Sequence, residues 1–244
     1  MIVSSALNDF VGVIPARYHS ERFPGKILEL IDGVPMVAHV YERAKESLLN
    51  TVLVAVDDNK ALRAMEELSI PVIMTSKNHN SGTERVAEVA RSIDGDVFVN
   101  IQGDEPFIKP EIINLVIEQF HTKEKIDMAT VASTNLSSED FENPDVVKVI
   151  IGKDGTAITF FRNSNQITEL KNCAKHIGIY GFKKEFLLQF IHMKMTPNEM
   201  KLKLEQMRVL DNGFEINVAI TALDSIGINR PEDLKKLKEI MTLA

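Results

Sequence analysis

The chain has 244 residues, 44% of them hydrophobic and 26% charged, and this ordinary composition excludes collagen-like, low-complexity and intrinsically disordered proteins. Its 28 basic and 35 acidic residues give a formal net charge of −7, which argues against nucleic-acid binding because that function requires a basic surface. The same net charge also argues, at first sight, against an anionic substrate.

Cysteine usage and hydropathy indicate the compartment. The single cysteine, Cys173, cannot form an intrachain disulfide, which fits a reducing environment. The first residues lack the pattern of a signal peptide, and no apolar run approaches the roughly 20 residues that a membrane span needs. We therefore expect a cytoplasmic protein that does not insert into membranes.

Short apolar runs alternate with amphipathic stretches through the first 120 residues, which is typical of parallel βαβ units. In such sheets, ligands bind beyond the carboxyl ends of the strands, so a site is expected after the predicted strands. The predicted elements are strands at 10–14, 51–56, 71–74 and 96–101, and helices at 35–47, 59–68, 84–92 and 109–120.

The second half of the chain is richer in strands. Its predicted elements are strands at 127–132, 146–150, 157–161, 176–182 and 214–221, a hairpin turn at 153–155, and helices at 184–192, 201–210 and 230–243. No repeat and no Gly/Ser-rich linker divides the chain. The sequence therefore predicts one α/β domain with a mixed, mostly parallel central sheet flanked by helices, as in Rossmann-like folds.

Three cations follow the first predicted strand. Arg17, Arg22 and Lys26 lie within ten residues of one loop, and Ser20 adds a hydroxyl. Guanidinium and ammonium groups neutralise and orient polyphosphates, although the spacing of a Walker loop is absent. A solvated basic turn is the alternative. Ligand choice follows such a local field, whereas the net charge bears mainly on solubility.

Carboxylates follow the fourth predicted strand. Asp104 and Glu105 suit a hard cation such as Mg²⁺, and Gln102 offers an amide beside them. An acidic turn that caps the next helix is the alternative. Two further segments at the same edge, 57–58 and 81–85, fit helix caps as well as ligand contacts.

Taken together, these segments resemble the 3-deoxy-manno-octulosonate cytidylyltransferases, or CMP-Kdo synthetases, and the resemblance runs nearly end to end. The motifs that carry it are Pro15-Ala-Arg-Tyr-x-Ser-x-Arg-x-Pro-Gly-Lys26, Asp57-Asp58, Ser81-Gly-Thr-Glu-Arg85, Asn100-x-Gln-Gly-Asp-Glu-Pro106, Asn143-Pro-x-x-Val-Lys148, His176-x-Gly-Ile-Tyr-Gly181, Leu204-Glu-Gln-x-Arg-Val-Leu210 and Pro231-Glu-Asp233.

The resemblance implies transfer of CMP from CTP to the anomeric hydroxyl of 3-deoxy-manno-octulosonate (Kdo), a 2-keto-3-deoxy sugar acid, with release of pyrophosphate. This reaction would serve lipopolysaccharide biosynthesis. It implies a nucleotide-diphospho-sugar transferase-like fold, Mg²⁺ as cofactor and a homodimer. Within the single domain of 1–244, it implies a nucleotide-binding half at 1–125, a sugar-binding and dimerisation half at 126–230, and a C-terminal helix at 231–244.

The resemblance also implies roles for individual residues. The catalytic set is Arg17, Arg22, Lys26 and Asp104, and the metal ligands are Asp104 and Asn229. The nucleotide-binding set is Ala16, Arg17, Ser20, Lys26, Ser81, Gly82, Thr83 and Arg85. The sugar-binding set is Gln102, Arg162, His176, Tyr180, Glu205 and Gln206.

Three departures from the family pattern concern the metal and the acceptor. Asn229 stands where the family usually has a metal-binding Asp, the stretch 160–175 is shorter and lacks a Ser and a Pro, and Leu202 replaces an acid. The acceptor is therefore less firmly implied than CTP. Two alternatives are the same chemistry on a related acid such as 8-amino-Kdo, and a low-activity homologue that binds nucleotide or sugar without efficient turnover.

The substitution Asn229→Asp tests whether residue 229 is a ligand of Mg²⁺. An amide oxygen can ligate Mg²⁺ but carries no charge, so Asn229→Asp is expected to lower the Mg²⁺ concentration that gives half-maximal activity. Pyrophosphate release measured over a series of Mg²⁺ concentrations checks this. An unchanged midpoint would show that residue 229 is not at the metal.

Overall fold

The computed structural model describes residues 9–19, 23–123, 125–163, 173–228 and 230–242. Its strands are β1 (Phe10–Ala16), β2 (Leu30–Ile31), β3 (Val34–Pro35), β4 (Thr51–Val56), β5 (Val72–Met74), β6 (Val97–Asn100), β7 (Met128–Ser133), β8 (Lys148–Ile151), β9 (Ala157–Phe161), β10 (Cys173–Lys183) and β11 (Asn217–Thr221).

The described helices are α1 (Met36–Lys45), α2 (Asn59–Glu67), α3 (Gly82–Ser92), α4 (Pro110–Thr122), α5 (Ser138–Glu142), α6 (Lys184–Phe190), α7 (Pro197–Leu202), α8 (Gln206–Asp211) and α9 (Pro231–Thr242), and a 3-10 turn covers Lys26–Leu28. Within the described ranges, no helix has both the length and the apolar character needed to cross a membrane.

The main sheet has the strand order β11-β7-β10-β6-β1-β4-β5. Pairing is parallel at β1–β4, β1–β6, β4–β5 and β7–β11, whereas β10 runs antiparallel to both β6 and β7. Strands β8 and β9 extend the sheet as an antiparallel pair beside β10. The prediction of a mixed, mostly parallel sheet flanked by helices is therefore confirmed.

Both faces of the sheet are covered, because side chains alternate along each strand and both sets are apolar. On one face, Phe10 and Ile14 of β1 pack with residues of α1 and α4. On the other face, Val11 and Val13 pack with residues of α3, α6 and α8. Each fully buried aliphatic or aromatic side chain contributes about 1.5–3 kcal/mol, so this double burial holds the strand ends in place.

The structure confirms helix capping at two segments where capping and ligand binding were both open. Asp58 accepts a hydrogen bond from the Lys60 amide at the start of α2, and Ser81 accepts one from the Glu84 amide at the start of α3. Such caps satisfy amides that have no partner within the helix. They fix where both helices begin beside the carboxyl edge of the sheet.

The predicted helix at 201–210 is wrong as a single element. It is two helices, α7 and α8, separated by Lys203, whose φ of 54° lies in the left-handed region. Thr196 begins α7 with a capping box, and a buried ion pair joins Glu199 of α7 to Arg208 of α8. This non-local pair holds the break in the helix, so local periodicity could not predict it.

The other predicted strands and helices each have a counterpart whose ends lie within a few residues, and the hairpin turn at 153–155 joins β8 to β9. Strands β2 and β3 and helix α5 were not predicted. With two to five residues each, they are too short to show a periodic pattern.

Candidate active site

A cavity of about 860 Å³ opens at the carboxyl ends of β1 and β6. Its size suits a ligand as large as a nucleotide, since binding pockets commonly measure about 300–1,000 Å³. The predicted site residues that line it are Arg17, Lys26, Gly82, Gln102, Asp104 and Arg162. The other lining residues are Pro15, Ile27, Asn80, Gly103, Pro144, Asp145, Lys201, Leu202 and Lys203.

Lys26 joins three segments that are distant in sequence. Its ammonium forms an ion pair with the Asp104 carboxylate and donates a hydrogen bond to the Ile228 carbonyl at 3.1 Å. The Ile228 amide in turn donates to the Asp104 carbonyl at 2.8 Å. The segment before α9 is thereby held against the turn after β6. Asn229, which follows Ile228, lies outside the described residues.

A buried ion pair between Asp57 and Arg85 anchors the loop after β1. The Asp57 carboxylate accepts from the Tyr18 amide at 3.0 Å and from the Arg85 guanidinium at 2.9 Å. Arg85 also donates to the Thr75 hydroxyl and to the Ser76 carbonyl. Arg17, which precedes Tyr18, is exposed and lines the cavity. The contacts of Asp57 with Tyr18 and Arg85 therefore hold Arg17 at the cavity.

The structure corrects the expected place of Arg85. Its side chain is completely buried beneath the loop and does not line the cavity, because Asp57 holds it there. Burial lowers the pKa of Arg85, and the Asp57 charge opposes that effect. Arg85 thus supports the loop, and its Nε has no acceptor among the described residues. Two other residues of the same loop, Ser20 and Arg22, lie outside the described residues.

A chain of hydrogen bonds runs from the cavity into the protein. The Gln102 amide donates to Asn100 at 3.3 Å, Asn100 donates to the Thr83 hydroxyl at 3.4 Å, and Thr83 donates to the Glu205 carboxylate at 2.9 Å. Burial raises the pKa of Glu205, which hydrogen bonds from Ser81 and Thr83 partly offset. These residues connect the turn after β6 and the start of α3 to the start of α8. Ala16, at the end of β1, is fully buried.

His176 does not line the cavity and lies next to Tyr180. Its Nε2 is 2.9 Å from the Thr130 hydroxyl, and its ring centroid is 5.0 Å from that of Phe160 and 5.4 Å from that of Tyr180. Because the Thr130 hydroxyl donates to the Ile179 carbonyl at 2.7 Å, it accepts from His176. Burial lowers the pKa of His176 to about 3, with a smaller contribution from the Arg162 charge.

Three further polar groups belong to the surroundings of the site. Burial raises the pKa of Tyr180, and the Glu205 charge raises it further. Burial also raises the pKa of Glu105 to about 7, although a hydrogen bond from Ser225 opposes this effect. Gln206 is only 3% exposed, and its Nε2 has no acceptor within the described part of the chain. A buried donor without a partner is costly, so Gln206 is suited to a ligand oxygen.

Another wall of the cavity is built around Arg162. Its guanidinium donates to the Leu202 carbonyl at 3.0 Å and to the Pro144 carbonyl at 3.1 Å. Lys201 and Lys203, which were not among the predicted site residues, add two exposed cations to the cavity lining. Lys201 fell within a helix that was predicted to run without a break from 201 to 210. Their position directly before the Leu-Glu-Gln motif was the signal that could have revealed them.

Comparison with known proteins places this site in context. The cytidylyltransferase family model matches residues 11–218. The chain is 45% identical to the 3-deoxy-manno-octulosonate cytidylyltransferase of Geobacter metallireducens, over 93% of this chain and 95% of that protein. It is 42% identical to the protein of the same name from Fusobacterium nucleatum, again over 93% and 95%.

Solved structures agree with these relatives. A CMP:2-keto-3-deoxy-manno-octonic acid synthetase complexed with CTP superposes with a TM-score of 0.91, at 33% identity, over 96% of this chain and 99% of that chain. A putative glucose-1-phosphate thymidylyltransferase from Bacillus anthracis gives a TM-score of 0.68 at 14% identity, over 95% and 94%. The second likeness shows the nucleotidyltransferase fold alone.

The environment of His176 predicts a pH effect on stability. The unfolded chain binds a proton at an ordinary pKa near 6.5, whereas native His176 stays neutral down to a pKa of about 3. Stability is therefore lost as the pH falls below about 6.5. Between pH 7 and pH 5, wild type is expected to lose about 2 kcal/mol more unfolding free energy than His176→Gln. Urea denaturation at both pH values measures this, and equal losses would contradict a neutral His176.

Proposed function

The chain belongs to the cytidylyltransferase family, and from this premise we propose that it transfers CMP from CTP to Kdo and releases pyrophosphate, a step toward lipopolysaccharide. Relatives named for this activity match it over 93% of its length at 42–45% identity. The observation that carries the proposal is the cavity itself, where Arg17 and Lys26 lie with Asp104 at the carboxyl edge of the sheet.

The nucleotide side of the cavity is suited to a triphosphate. Arg17 offers a guanidinium that has no hydrogen-bond or ion-pair partner among the described residues, and Lys26 offers an ammonium from the adjoining loop. Both charges neutralise phosphate oxygens, and a guanidinium fork also orients them. Gly82 and Ser81 bring the start of α3 to the same edge, where its amides favour an anion.

The proposed reaction is an in-line displacement. The anomeric hydroxyl oxygen of Kdo attacks the α-phosphorus of CTP, a new phosphorus–oxygen bond forms, the bond to the bridging oxygen breaks, and pyrophosphate leaves. Two anionic substrates must meet, so positioning and charge neutralisation provide most of the rate enhancement. We assign Arg17 and Lys26 to the triphosphate, and Arg22 to the point where phosphate and sugar meet.

We also propose Mg²⁺ as the cofactor, held by Asp104 with Asn229. Mg²⁺ is commonly bound through one or two carboxylates, with the remaining ligands being waters and substrate phosphate oxygens. Among the described residues, no group of three or more His, Cys, Asp or Glu side chains could hold a metal ion by itself. When bound, the ion neutralises charge on the phosphates. The ion pair with Lys26 balances the Asp104 charge from within the protein.

The part of the cavity around Arg162 and Gln102 is suited to a sugar acid with several hydroxyl groups. Arg162 lines the cavity as a counter-charge, and Gln102 adds an amide in the same wall. Gln206 supplies the buried donor without a protein acceptor. Glu205, Tyr180 and His176 form the layer behind them, so we assign that layer to shaping the sugar pocket.

A cytoplasmic homodimer completes the proposal. The single cysteine suits the reducing cytoplasm, because it cannot form an intrachain disulfide. Ile158 on β9 and Ile220 on β11 are 61% and 54% exposed, respectively. Both strands lie in the half of the chain to which the resemblance assigns dimerisation. Sedimentation equilibrium of the full chain measures the oligomeric state.

Pyrophosphate release tests the proposed activity. With CTP, Mg²⁺ and Kdo the wild type is expected to turn over, and Asp104→Asn is expected to lower kcat/KM by about a hundredfold or more. Asp94→Asn is the matched control, because Asp94 is exposed and away from the cavity.

The acceptor panel should include 8-amino-Kdo and other 2-keto sugar acids. Turnover restricted to 8-amino-Kdo would replace the acceptor and keep the chemistry. CTP binding without pyrophosphate release on any acceptor would overturn the proposal in favour of a homologue that binds without turnover.

A further inference from the structure

Lys148 is a fully buried cation that the proposed reaction does not use. It begins β8 and is 0% exposed. Its ammonium donates to the carbonyls of Asn143 at 2.9 Å, Val146 at 2.8 Å and Arg162 at 2.5 Å. An ammonium has three N–H donors, so each donor has one carbonyl.

Two aromatic rings complete the surroundings of this ammonium. The ring centroids of Phe141 and Phe161 lie 6.0 Å and 5.7 Å from the Lys148 Nζ atom, within range of cation–π attraction. Burial lowers the pKa of Lys148, and the nearby Cys173 and Glu142 side chains partly offset this effect. A neutral amine has only two N–H groups, so the three carbonyl contacts require the charged form.

The three carbonyls belong to one wall of the cavity. Asn143 and Val146 bracket the lining residues Pro144 and Asp145, and the third carbonyl is that of Arg162 itself. Lys148 therefore ties the main chain of the 143–146 loop to the main chain at the end of β9.

The Arg162 side chain extends the same connection. Its guanidinium donates to the carbonyls of Pro144 and Leu202, so it joins the loop held by Lys148 to the end of α7. The other wall has different supports, namely the Asp57–Arg85 pair under Arg17 and the contacts of Lys26. The two walls thus rest on different buried groups.

We propose that Lys148 is a positioning residue for the acceptor, which fixes Arg162 and the 143–146 loop so that their wall holds the sugar acid. The inference rests on the proposed function and goes beyond it, because Lys148 touches no substrate. Its loss should disturb acceptor binding and leave the separately anchored nucleotide side intact.

Steady-state kinetics of Lys148→Met tests the proposal, since Met keeps the volume and removes the charge. The KM for the acceptor is expected to rise by about tenfold or more, while the KM for CTP changes by less than about twofold. Lys184→Met is the matched control. Lys184 donates to the Ile93 carbonyl at 2.9 Å and lies 5.9 Å from the Phe98 ring centroid, away from the cavity.

Lys148→Arg provides a second variant in case the Met variant folds poorly. It keeps the charge and the donors, so its acceptor KM should lie between those of wild type and Lys148→Met. An unchanged acceptor KM in both variants, or equal increases in both KM values as from general destabilisation, would overturn the proposal. An inactive wild type would overturn the proposed function, and with it this inference.

Discussion

The contact on which the site depends is that of the Lys26 ammonium with the Asp104 carboxylate and the Ile228 carbonyl. It brings together the loop after the first strand, the turn after β6 and the segment before the last helix. A mostly parallel sheet places the first two at one edge, but only a specific polar contact adds the third. The net charge of −7 is therefore a poor guide to the ligand, because five basic residues line the cavity: Arg17, Lys26, Arg162, Lys201 and Lys203.

Buried cations support both walls of the cavity. Arg85 holds the loop after β1 through Asp57, and Lys148 holds the 143–146 loop through three carbonyls. A buried charge without partners is strongly destabilising, so each cation keeps the segments that satisfy it in one arrangement. Neither side chain lines the cavity. Rigid support of this kind lets exposed groups such as Arg17 meet an anion already oriented, which lowers the entropy that binding costs.

Local patterns predicted the sheet, most helices and the cations at the edge of the sheet. A strand that is buried on both faces is a continuous apolar run in the sequence, and the loops that bind ligands follow the ends of such strands. Interactions between distant residues were out of reach. Nothing near Arg85 in sequence indicates that Asp57 draws it under the loop, and the helix break at Lys203 depends on the pair Glu199–Arg208. The roles of the individual site residues stay predictions, since they depend on ligands that geometry alone does not supply.

The central proposal is that the cations at the sheet edge bind the triphosphate of CTP. Calorimetric titration of CTP with Mg²⁺ into wild type and Lys26→Met tests it most directly, with Lys45→Met as the control because that side chain is 62% exposed on α1. A charged hydrogen bond contributes about 1.5–3 kcal/mol, so Lys26→Met is expected to weaken CTP binding by roughly tenfold to a hundredfold. Equal affinity in Lys26→Met and wild type would contradict the claim.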